Sequence, residues 1–157
     1  MLTHAEITVS KLKQHGWHIA FAESCTGGLA AGALVDIPSA SAVLNVSFVT
    51  YANEAKTKYV HVKPETLLTH GAVSEEVAAE MAEGVAAEAN AEVGVGISGI
   101  AGPDGGTPEK PVGTVCFGFY INGKCSACTC HFSDLSREEV RAAAVRFVFR
   151  TLSTLLK

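Results

Sequence analysis

A short apolar run at residues 17–22 (WHIAFA) limits the fold of this chain more than any other feature. Its length and composition are those of a strand that is covered on both faces, since it is almost continuously apolar rather than alternating with polar side chains. Strands of this kind belong to sheets that carry helices above and below. The run therefore predicts a protein of the α/β class.

Helical and strand-like patterns alternate along the rest of the chain. Two capping boxes, Thr3 with Glu6 and Ser136 with Glu139, predict where the first and last helices begin. The first helix should end at Gly16, followed by the strand 17–22, a helix to about Leu34 and a strand over 45–51. We then expect three helices: one capped by Asn53, a short one over 64–69 and one from Ser74 to Asn90. A strand over 92–98, a glycine-rich loop to Pro111 and a hairpin of 112–121 with 125–132 about Asn122-Gly123 complete the order. This order predicts a single-domain, three-layer α/β/α sandwich with a mixed β-sheet.

The composition excludes several classes of protein. The 157 residues carry a net charge of −4 without a basic cluster, which argues against nucleic acid as a partner. No apolar run is long enough to cross a bilayer, and the amino terminus has no apolar signal core. Five cysteines are an odd number and predict free thiols in a reducing compartment. We therefore expect a cytoplasmic protein with no membrane partner.

Two glycine-containing motifs resemble nucleotide-binding sites without meeting their structural requirements. Residues 94–99 match GxGxxG, but the sequence that follows, IAGPDGGTPEKP, has no helical period, and a dinucleotide site needs a helix there. Residues 118–125 (GFYINGKC) match a Walker A motif except at the last position, where Cys stands in place of the magnesium-binding hydroxyl. The Asn-Gly pair between strand-like runs predicts a hairpin instead.

Cysteine and histidine residues at 125–131 raise the question of a metal site. Alternation along a strand places Cys128 and Cys130 on one face, with Cys125 and His131 on the other. No second ligand pair completes a tetrahedral site, and the six histidines show no ligand spacing. We predict buried thiols and no metal or other cofactor.

Ser24 lies in the segment FAESCTGG (21–28), where the first strand is expected to give way to a helix. Backbone N–H groups of Cys25, Thr26 and Gly27 follow it and could form an oxyanion hole, as in a nucleophile elbow. The alternative is that Ser24 or Thr26 only caps the helix, and the residues taken alone favour that cap. Cys25 is a rival nucleophile, but no histidine can be placed beside it.

Lys56 could be the base that such a nucleophile needs. If Asn53 caps its helix, Lys56 falls in the first turn, where the helix dipole disfavours an ammonium and lowers the lysine pKa. A lysine that titrates low suits a general base for a serine. The alternative is an ordinary surface lysine.

The last helix contains two arginines that could bind an anion. Its expected apolar stripe runs through Val140, Ala144, Phe147, Thr151 and Leu155. Arg137 and Arg141 fall on or beside that stripe in the first turns, whereas Arg146 and Arg150 point to solvent. The inward pair predicts an anion site, with structural ion pairs to glutamates as the open alternative.

Four segments together resemble the CinA C-terminal-domain family, the bacterial nicotinamide-nucleotide amidohydrolases. They are AESCTGG (22–28), YANEAK (51–56), GAVSEEVAAEMAEG (71–84) and GISGIAGPDGGTPEKPVGTVCFG (96–118). The resemblance implies a three-layer α/β/α fold, a homodimer or larger homo-oligomer, and no cofactor. It also implies hydrolysis of nicotinamide mononucleotide to nicotinate mononucleotide and ammonia. The family's optional amino-terminal domain has no counterpart in these residues, so we expect its activity to be absent.

The resemblance also assigns roles to individual residues. Ser24 matches the nucleophile, Lys56 the base and Tyr51 a supporting hydroxyl, which favours the nucleophile over the cap for Ser24. Ala52 departs from the family, which often has a hydroxyl there, so that position is not expected to be essential. Apart from the resemblance, the residues themselves suggest where a substrate would bind: Cys25, Thr26, Gly27, Gly28, Asn53, Gly99, Ala101, Gly102, Arg137 and Arg141. We expect the Gly99–Gly106 loop and at least one of the two arginines to hold the phosphate together. The alternatives are another ribosyl or pyridine amide as substrate, or a non-catalytic nucleotide-binding or interaction module linked to competence or DNA damage.

Overall fold

The structure is a computed structural model that describes residues 1–157. Its elements in chain order are α1 His4–His15, β1 Ile19–Glu23, α2 Leu29–Val35, β2 Phe48–Val49, α3 Asn53–Val60, α4 Pro64–His70, α5 Glu75–Ala89, β3 Val93–Gly99, β4 Thr114–Ile121, β5 Lys124–His131 and α6 Arg137–Leu155, with one 3₁₀ turn at Ala40–Ala42. No helix is both long enough and apolar enough to cross a membrane.

The five strands form one mixed sheet in the order β2-β1-β3-β4-β5. β1 runs parallel to both β2 and β3, while β4 is antiparallel to β3 and to β5. Apolar side chains of α1, α2 and α6 pack on one face of the sheet, and those of α3 and α5 pack on the other. The predicted fold class, a three-layer α/β/α sandwich in one domain, is confirmed.

Local signals in the sequence placed most element ends correctly. Both capping boxes are present, and Gly16 ends α1 in the left-handed conformation. Asn122 and Gly123 form the hairpin turn with φ values of 45° and 95°, which the primed turns of hairpins require. The side chain of Ser74 caps α5 and Asn90 ends it, also as expected.

Glycines on β3 and β4 allow α5 to lie very close to the sheet. A Cβ atom on Gly94 would be 2.0 Å from the carbonyl oxygen of Ala82, and one on Gly96 or Gly118 would be 2.3 or 2.1 Å from that of Ala78. The GxGxxG match at 94–99 therefore serves helix packing, and residues 100–113 after it contain no helix.

Three predictions about individual elements were wrong: the length of β2, the cap of α3 and the buried face of α6. The strand expected over 45–51 is reduced to Phe48–Val49, because only two of its residues pair with β1. Ala52 rather than Asn53 precedes the first turn of α3, and its side chain cannot cap. The buried stripe of α6 continues in steps of four from Val140 to Leu152 rather than drifting to Leu155, which is 39% exposed.

Candidate active site

Ser24 lies directly after the last residue of β1, at the edge where the carboxyl ends of three parallel strands meet. Its backbone N–H donates to the carbonyl of Ile97 at 2.9 Å, which extends the pairing of β1 with β3 by one residue. Only 9% of Ser24 is exposed. Ligands bind at this edge in open α/β sheets, so Ser24 is in a position to meet a substrate.

Lys56 projects from α3 to the side chain of Ser24, with 3.0 Å between Nζ and Oγ. The same Nζ is 2.8 Å from the carbonyl oxygen of Thr50 and 3.2 Å from that of Tyr51. A neutral amine has two N–H groups and one lone pair. In the neutral form the two carbonyls accept both N–H groups, and the lone pair is left for the hydroxyl proton of Ser24, whereas an ammonium would donate to Ser24 Oγ.

Burial explains why Lys56 can be neutral. Its side chain is 1% exposed and forms no ion pair with a carboxylate. Burial lowers the pKa of Lys56 below the ordinary lysine value of 10.5 because it penalises the charged form. The low pKa was expected from the helix dipole, whereas the main physical cause is desolvation. The alternative of an ordinary surface lysine is wrong.

Cys25 is a poor rival for the role of nucleophile. Burial is the main reason that the pKa of its thiol rises to about 11, with a further contribution from the carboxylate of Glu23. At neutral pH the group is therefore a thiol, and the thiolate is the reactive form.

The turn of residues 24–28 has a different shape from the one expected. The N–H of Gly27 donates to the carbonyl of Ser24 at 3.1 Å and is occupied, whereas the N–H groups of Cys25 and Thr26 donate to no other residue. Two of the three expected oxyanion donors are therefore free. The helix α2 begins only at Leu29, preceded by Gly28 with φ 101°.

No hydroxyl caps α2, so the cap interpretation of Ser24 and Thr26 is wrong. The cap is the carboxylate of Glu23, which accepts from the N–H groups of Ala30 at 2.9 Å and Ala31 at 3.0 Å. Glu23 is 1% exposed and was missed in the sequence analysis. The available signal was a carboxylate at the end of an otherwise apolar strand.

Two buried hydroxyls near this turn, those of Thr26 and Thr50, have no hydrogen-bond partner. Thr50 continues β2, since its N–H donates to the carbonyl of Glu23 at 2.8 Å. It therefore lies beside Ser24 on the neighbouring strand. Sequence reasoning missed Thr50, because neither its burial nor the role of its carbonyl is visible in a sequence pattern.

Both arginines that were expected to point inward from α6 contact this region, although Arg137 is exposed. Arg137 donates to the carbonyl of Gly102 at 2.7 Å and to the hydroxyl of Tyr51 at 3.2 Å. Arg141 donates through Nε to the carbonyl of Cys25 at 2.9 Å and through Nη2 to that of Thr26 at 3.2 Å. Neither forms an ion pair with a glutamate, so that alternative is wrong.

The remaining predicted residues lie around the same edge of the sheet. Tyr51 is 61% exposed, and its hydroxyl bonds to Arg137 rather than to Ser24 or Lys56. Asn53 is exposed at the start of α3. Gly99 ends β3, and the N–H groups of Ala101 and Gly102 beyond it donate to no residue. The catalytic role of Tyr51 and the substrate-binding roles of the other residues stay predictions.

A second polar cluster lies on the α5 face of β4 and β5. The thiol of Cys116 is 3.5 Å from the hydroxyl of Thr129, which donates to Glu75 at 2.8 Å. His131 contacts the hydroxyl of Thr114 at 3.1 Å. Cys128 and Cys130 pack on the opposite face of the sheet, as alternation predicts. The prediction of buried thiols was wrong for this strand, because β5 is at the edge of the sheet: Cys125 is exposed and the other two are half-buried. No three side chains of His, Cys, Asp or Glu are grouped so that they could hold a metal ion.

Comparisons with known proteins show the family to which the chain is similar. The profile of the CinA C-terminal domain matches residues 2–156. A CinA-like protein of Kosmotoga olearia is 48% identical over 96% of this chain and 37% of its own length. The nicotinamide-nucleotide amidohydrolase PncC of Enterobacter agglomerans is 51% identical over 89% of this chain and 85% of its own length. The chain thus spans about a third of the first relative and most of the second.

Solved structures show the same fold. The competence/damage inducible protein CihA of Agrobacterium tumefaciens superposes with a TM-score of 0.93 and 40% identity, over all of this chain and 99% of that one. A CinA superfamily protein of Enterobacter cloacae gives a TM-score of 0.93 at 37% identity, over all of this chain and 94% of that one.

Proposed function

Because the chain belongs to the CinA C-terminal domain family, we propose that it hydrolyses the carboxamide of nicotinamide mononucleotide to nicotinate mononucleotide and ammonia. The relative PncC, whose name states this class of activity, supports the substrate. The observation that supports the chemistry is the contact of Ser24 Oγ with Lys56 Nζ at 3.0 Å.

In the first half of the proposed reaction, the oxygen of Ser24 attacks the carboxamide carbon while Lys56 takes the hydroxyl proton. The two carbonyls bonded to Lys56 hold its lone pair toward that proton. Negative charge develops on the carboxamide oxygen and is stabilised by the N–H groups of Cys25 and Thr26. Lys56 then gives its proton to the amide nitrogen, the C–N bond breaks, and ammonia leaves an ester on Ser24.

In the second half, water attacks the ester and gives its proton to Lys56. The C–O bond to Ser24 breaks as Lys56 returns a proton to the serine oxygen. The acid product leaves and both residues regain their starting protonation. The quaternary pyridinium of the substrate withdraws electrons from the carbonyl, so this chemistry proceeds without a metal or other cofactor.

The phosphate of the substrate requires a cationic site that the substrate can reach. Arg137 is exposed at the start of α6 and already contacts the loop after β3 through Gly102. The free N–H groups of Ala101 and Gly102 lie in that loop. We assign the phosphate to Arg137 and this loop, since a dianion gains more from a guanidinium with amides than from amides alone. Tyr51 is assigned to positioning Arg137 through their hydrogen bond.

Two further expectations belong to this proposal. Five free thiols suit a reducing, cytoplasmic environment. Homo-oligomers are expected, because large apolar side chains such as Val49 and Tyr59 are about half exposed around β2 and α3.

The test is an assay of the purified protein with nicotinamide mononucleotide that follows ammonia and nicotinate mononucleotide in equal amounts. A panel with nicotinamide riboside and other pyridine amides separates this substrate from its alternatives. Absence of ammonia from every amide, together with binding of a nucleotide, would instead support the non-catalytic module.

A further inference from the structure

Arg141 is the side chain of α6 that contacts the Ser24 turn most extensively. Its Nε and Nη2 donate to two consecutive carbonyls, those of Cys25 at 2.9 Å and Thr26 at 3.2 Å. These bonds join α6 to the turn across more than a hundred residues of sequence. A guanidinium can make such a fork because its N–H groups lie in one plane with fixed directions.

The two bonds fix the orientation of two peptide planes. In a trans peptide the N–H points away from the preceding carbonyl. Since the carbonyl of Cys25 faces Arg141, the N–H of Thr26 must point away from α6. The carbonyl of Thr26 also faces Arg141, and the N–H of Gly27 on the opposite side donates to the carbonyl of Ser24. Arg141 therefore determines where the free N–H of Thr26 is directed.

Gly27 allows the guanidinium to lie this close. Its φ of +56° favours glycine, and a Cβ atom there would be 3.3 Å from Nη2 of Arg141. From the other side, Glu23 holds the first N–H groups of α2. The turn is thus held by one ionised group at each end, and the two groups do not pair with each other.

We propose that Arg141 is a positioning residue for the oxyanion hole and does not serve mainly to bind the phosphate. It holds the 25–26 peptide plane so that the N–H of Thr26 faces the developing oxyanion. The N–H of Cys25 is held less directly, through the bond from Gly27 to the carbonyl of Ser24. This proposal rests on the proposed role of Ser24 as nucleophile. It does not depend on which amide is the substrate.

The test compares Arg141→Ala and Arg141→Lys with the wild type in two assays. The first is the rate at which a fluorophosphonate probe labels Ser24, since that reaction also develops charge on an oxygen near the nucleophile. The second gives kcat and KM with nicotinamide mononucleotide and nicotinamide riboside. We expect labelling and kcat to fall about 100-fold in Arg141→Ala, the size of effect seen when an oxyanion donor is lost. Added guanidinium ion should restore part of the activity.

Arg141→Lys keeps the charge but loses the planar fork, so it should also lose at least about tenfold in labelling rate. The control is Arg150→Ala on the exposed side of α6, which should change neither assay. If Arg141→Ala does not fold, the lysine variant decides. The proposal is wrong if labelling stays at the wild-type rate while KM rises for the mononucleotide alone. If the wild-type protein is labelled by the probe but hydrolyses no pyridine amide, the proposed substrate is wrong. The role of Arg141 is then decided by the labelling rates of its variants alone.

Discussion

Two regions of this molecule bring reactive side chains together, and only one of them has the geometry that the proposed reaction needs. At the carboxyl ends of the parallel strands, Ser24 meets a buried Lys56. On the α5 face of β4 and β5, Cys116 meets Thr129 and Glu75, and His131 lies nearby. The second cluster contains a thiol, a carboxylate and an imidazole, which are at first sight the richer set of catalytic groups.

The difference lies in which donors and acceptors are already satisfied. Thr129 donates to Glu75, so its oxygen accepts from the thiol of Cys116. The hydrogen-bond donors of both side chains are therefore already used. Burial also raises the pKa of Cys116, which keeps it protonated. At Ser24, by contrast, the proposed neutral amine of Lys56 would have both N–H groups bonded to carbonyls and its lone pair toward the hydroxyl, and two backbone N–H groups have no acceptor. A reactive site needs unused donors and a directed lone pair, in addition to reactive residue types.

The largest expected effect separates the two regions directly. Ser24→Ala should lower kcat by at least about 10⁴-fold, as removal of an activated nucleophile does. Cys116→Ala should leave kcat within about threefold of wild type, and Cys25→Ala should cost far less than Ser24→Ala. The measurement is steady-state ammonia release, with circular dichroism to show that each variant is folded. Full activity of Ser24→Ala would place the chemistry elsewhere.

The next effect concerns Lys56. Lys56→Met should lower kcat by about 10²- to 10⁴-fold, the range for loss of a general base. In the wild type, kcat/KM should rise with pH as Lys56 loses its proton, with a midpoint below 10.5 because burial lowers its pKa. His131→Ala should leave that profile unchanged. A profile controlled by a histidine instead would indicate that the second cluster participates.

The same pKa has a consequence for stability. The unfolded chain binds a proton at Lys56 more tightly than the folded chain does, so Lys56 makes the free energy of unfolding fall as pH decreases from 10.5 toward the folded pKa. Lys56→Met removes this cost and should raise the melting temperature at neutral pH. A lower melting temperature would mean that the hydrogen bonds of Lys56 outweigh its desolvation.

A smaller effect is expected at the rim of the site. Arg137→Ala should raise KM for nicotinamide mononucleotide about tenfold, since it removes a charge-assisted contact to the phosphate, and should leave KM for the riboside nearly unchanged. Arg146→Ala is the matched exposed control. Equal effects on both substrates would assign Arg137 to the fold of the loop through Gly102 rather than to the phosphate.

The smallest effect should come from chelation. No ligand set can be assembled from the cysteines and histidines of the sequence, so activity should survive prolonged treatment with a chelator. Loss of activity that one added divalent ion restores would indicate a metal centre in the region of Cys116, Thr129 and His131. The Ser24 region would then not be the only one of the two arranged for catalysis.

Much of the fold could be predicted because it depends on local signals. The boxes of Thr3 with Glu6 and of Ser136 with Glu139 and the Asn-Gly turn are visible in the chain itself. Apolar periodicity predicted the buried face of α6 less accurately. The expected stripe steps by three residues at Phe147, whereas the buried residues continue in steps of four, so the two stripes end on different faces. Strand length at β2 also could not be predicted, because it depends on pairing with β1.

The site also has features that the sequence predicts and features that depend on the folded backbone. Ser24 and Lys56 were selected from short motifs and lie in contact, although their roles stay predictions, and α6 was expected to turn Arg137 and Arg141 inward. The carbonyls of Thr50 and Tyr51 that direct Lys56 could not be predicted, since carbonyl directions follow from the path of the backbone after β2. The carboxylate of Glu23 at the end of an apolar strand was visible, but its role as the cap of α2 depends on where that helix begins.

The central claim is that an ester forms on Ser24, and competition between water and hydroxylamine tests it most directly. Nicotinamide mononucleotide and the methyl ester of nicotinate mononucleotide would be turned over with added hydroxylamine, and the ratio of hydroxamate to acid measured for each. A common ester on Ser24 predicts the same ratio from both substrates, with both products lost in Ser24→Ala. Ratios that differ between the two substrates would contradict the account, because water would then attack each substrate directly.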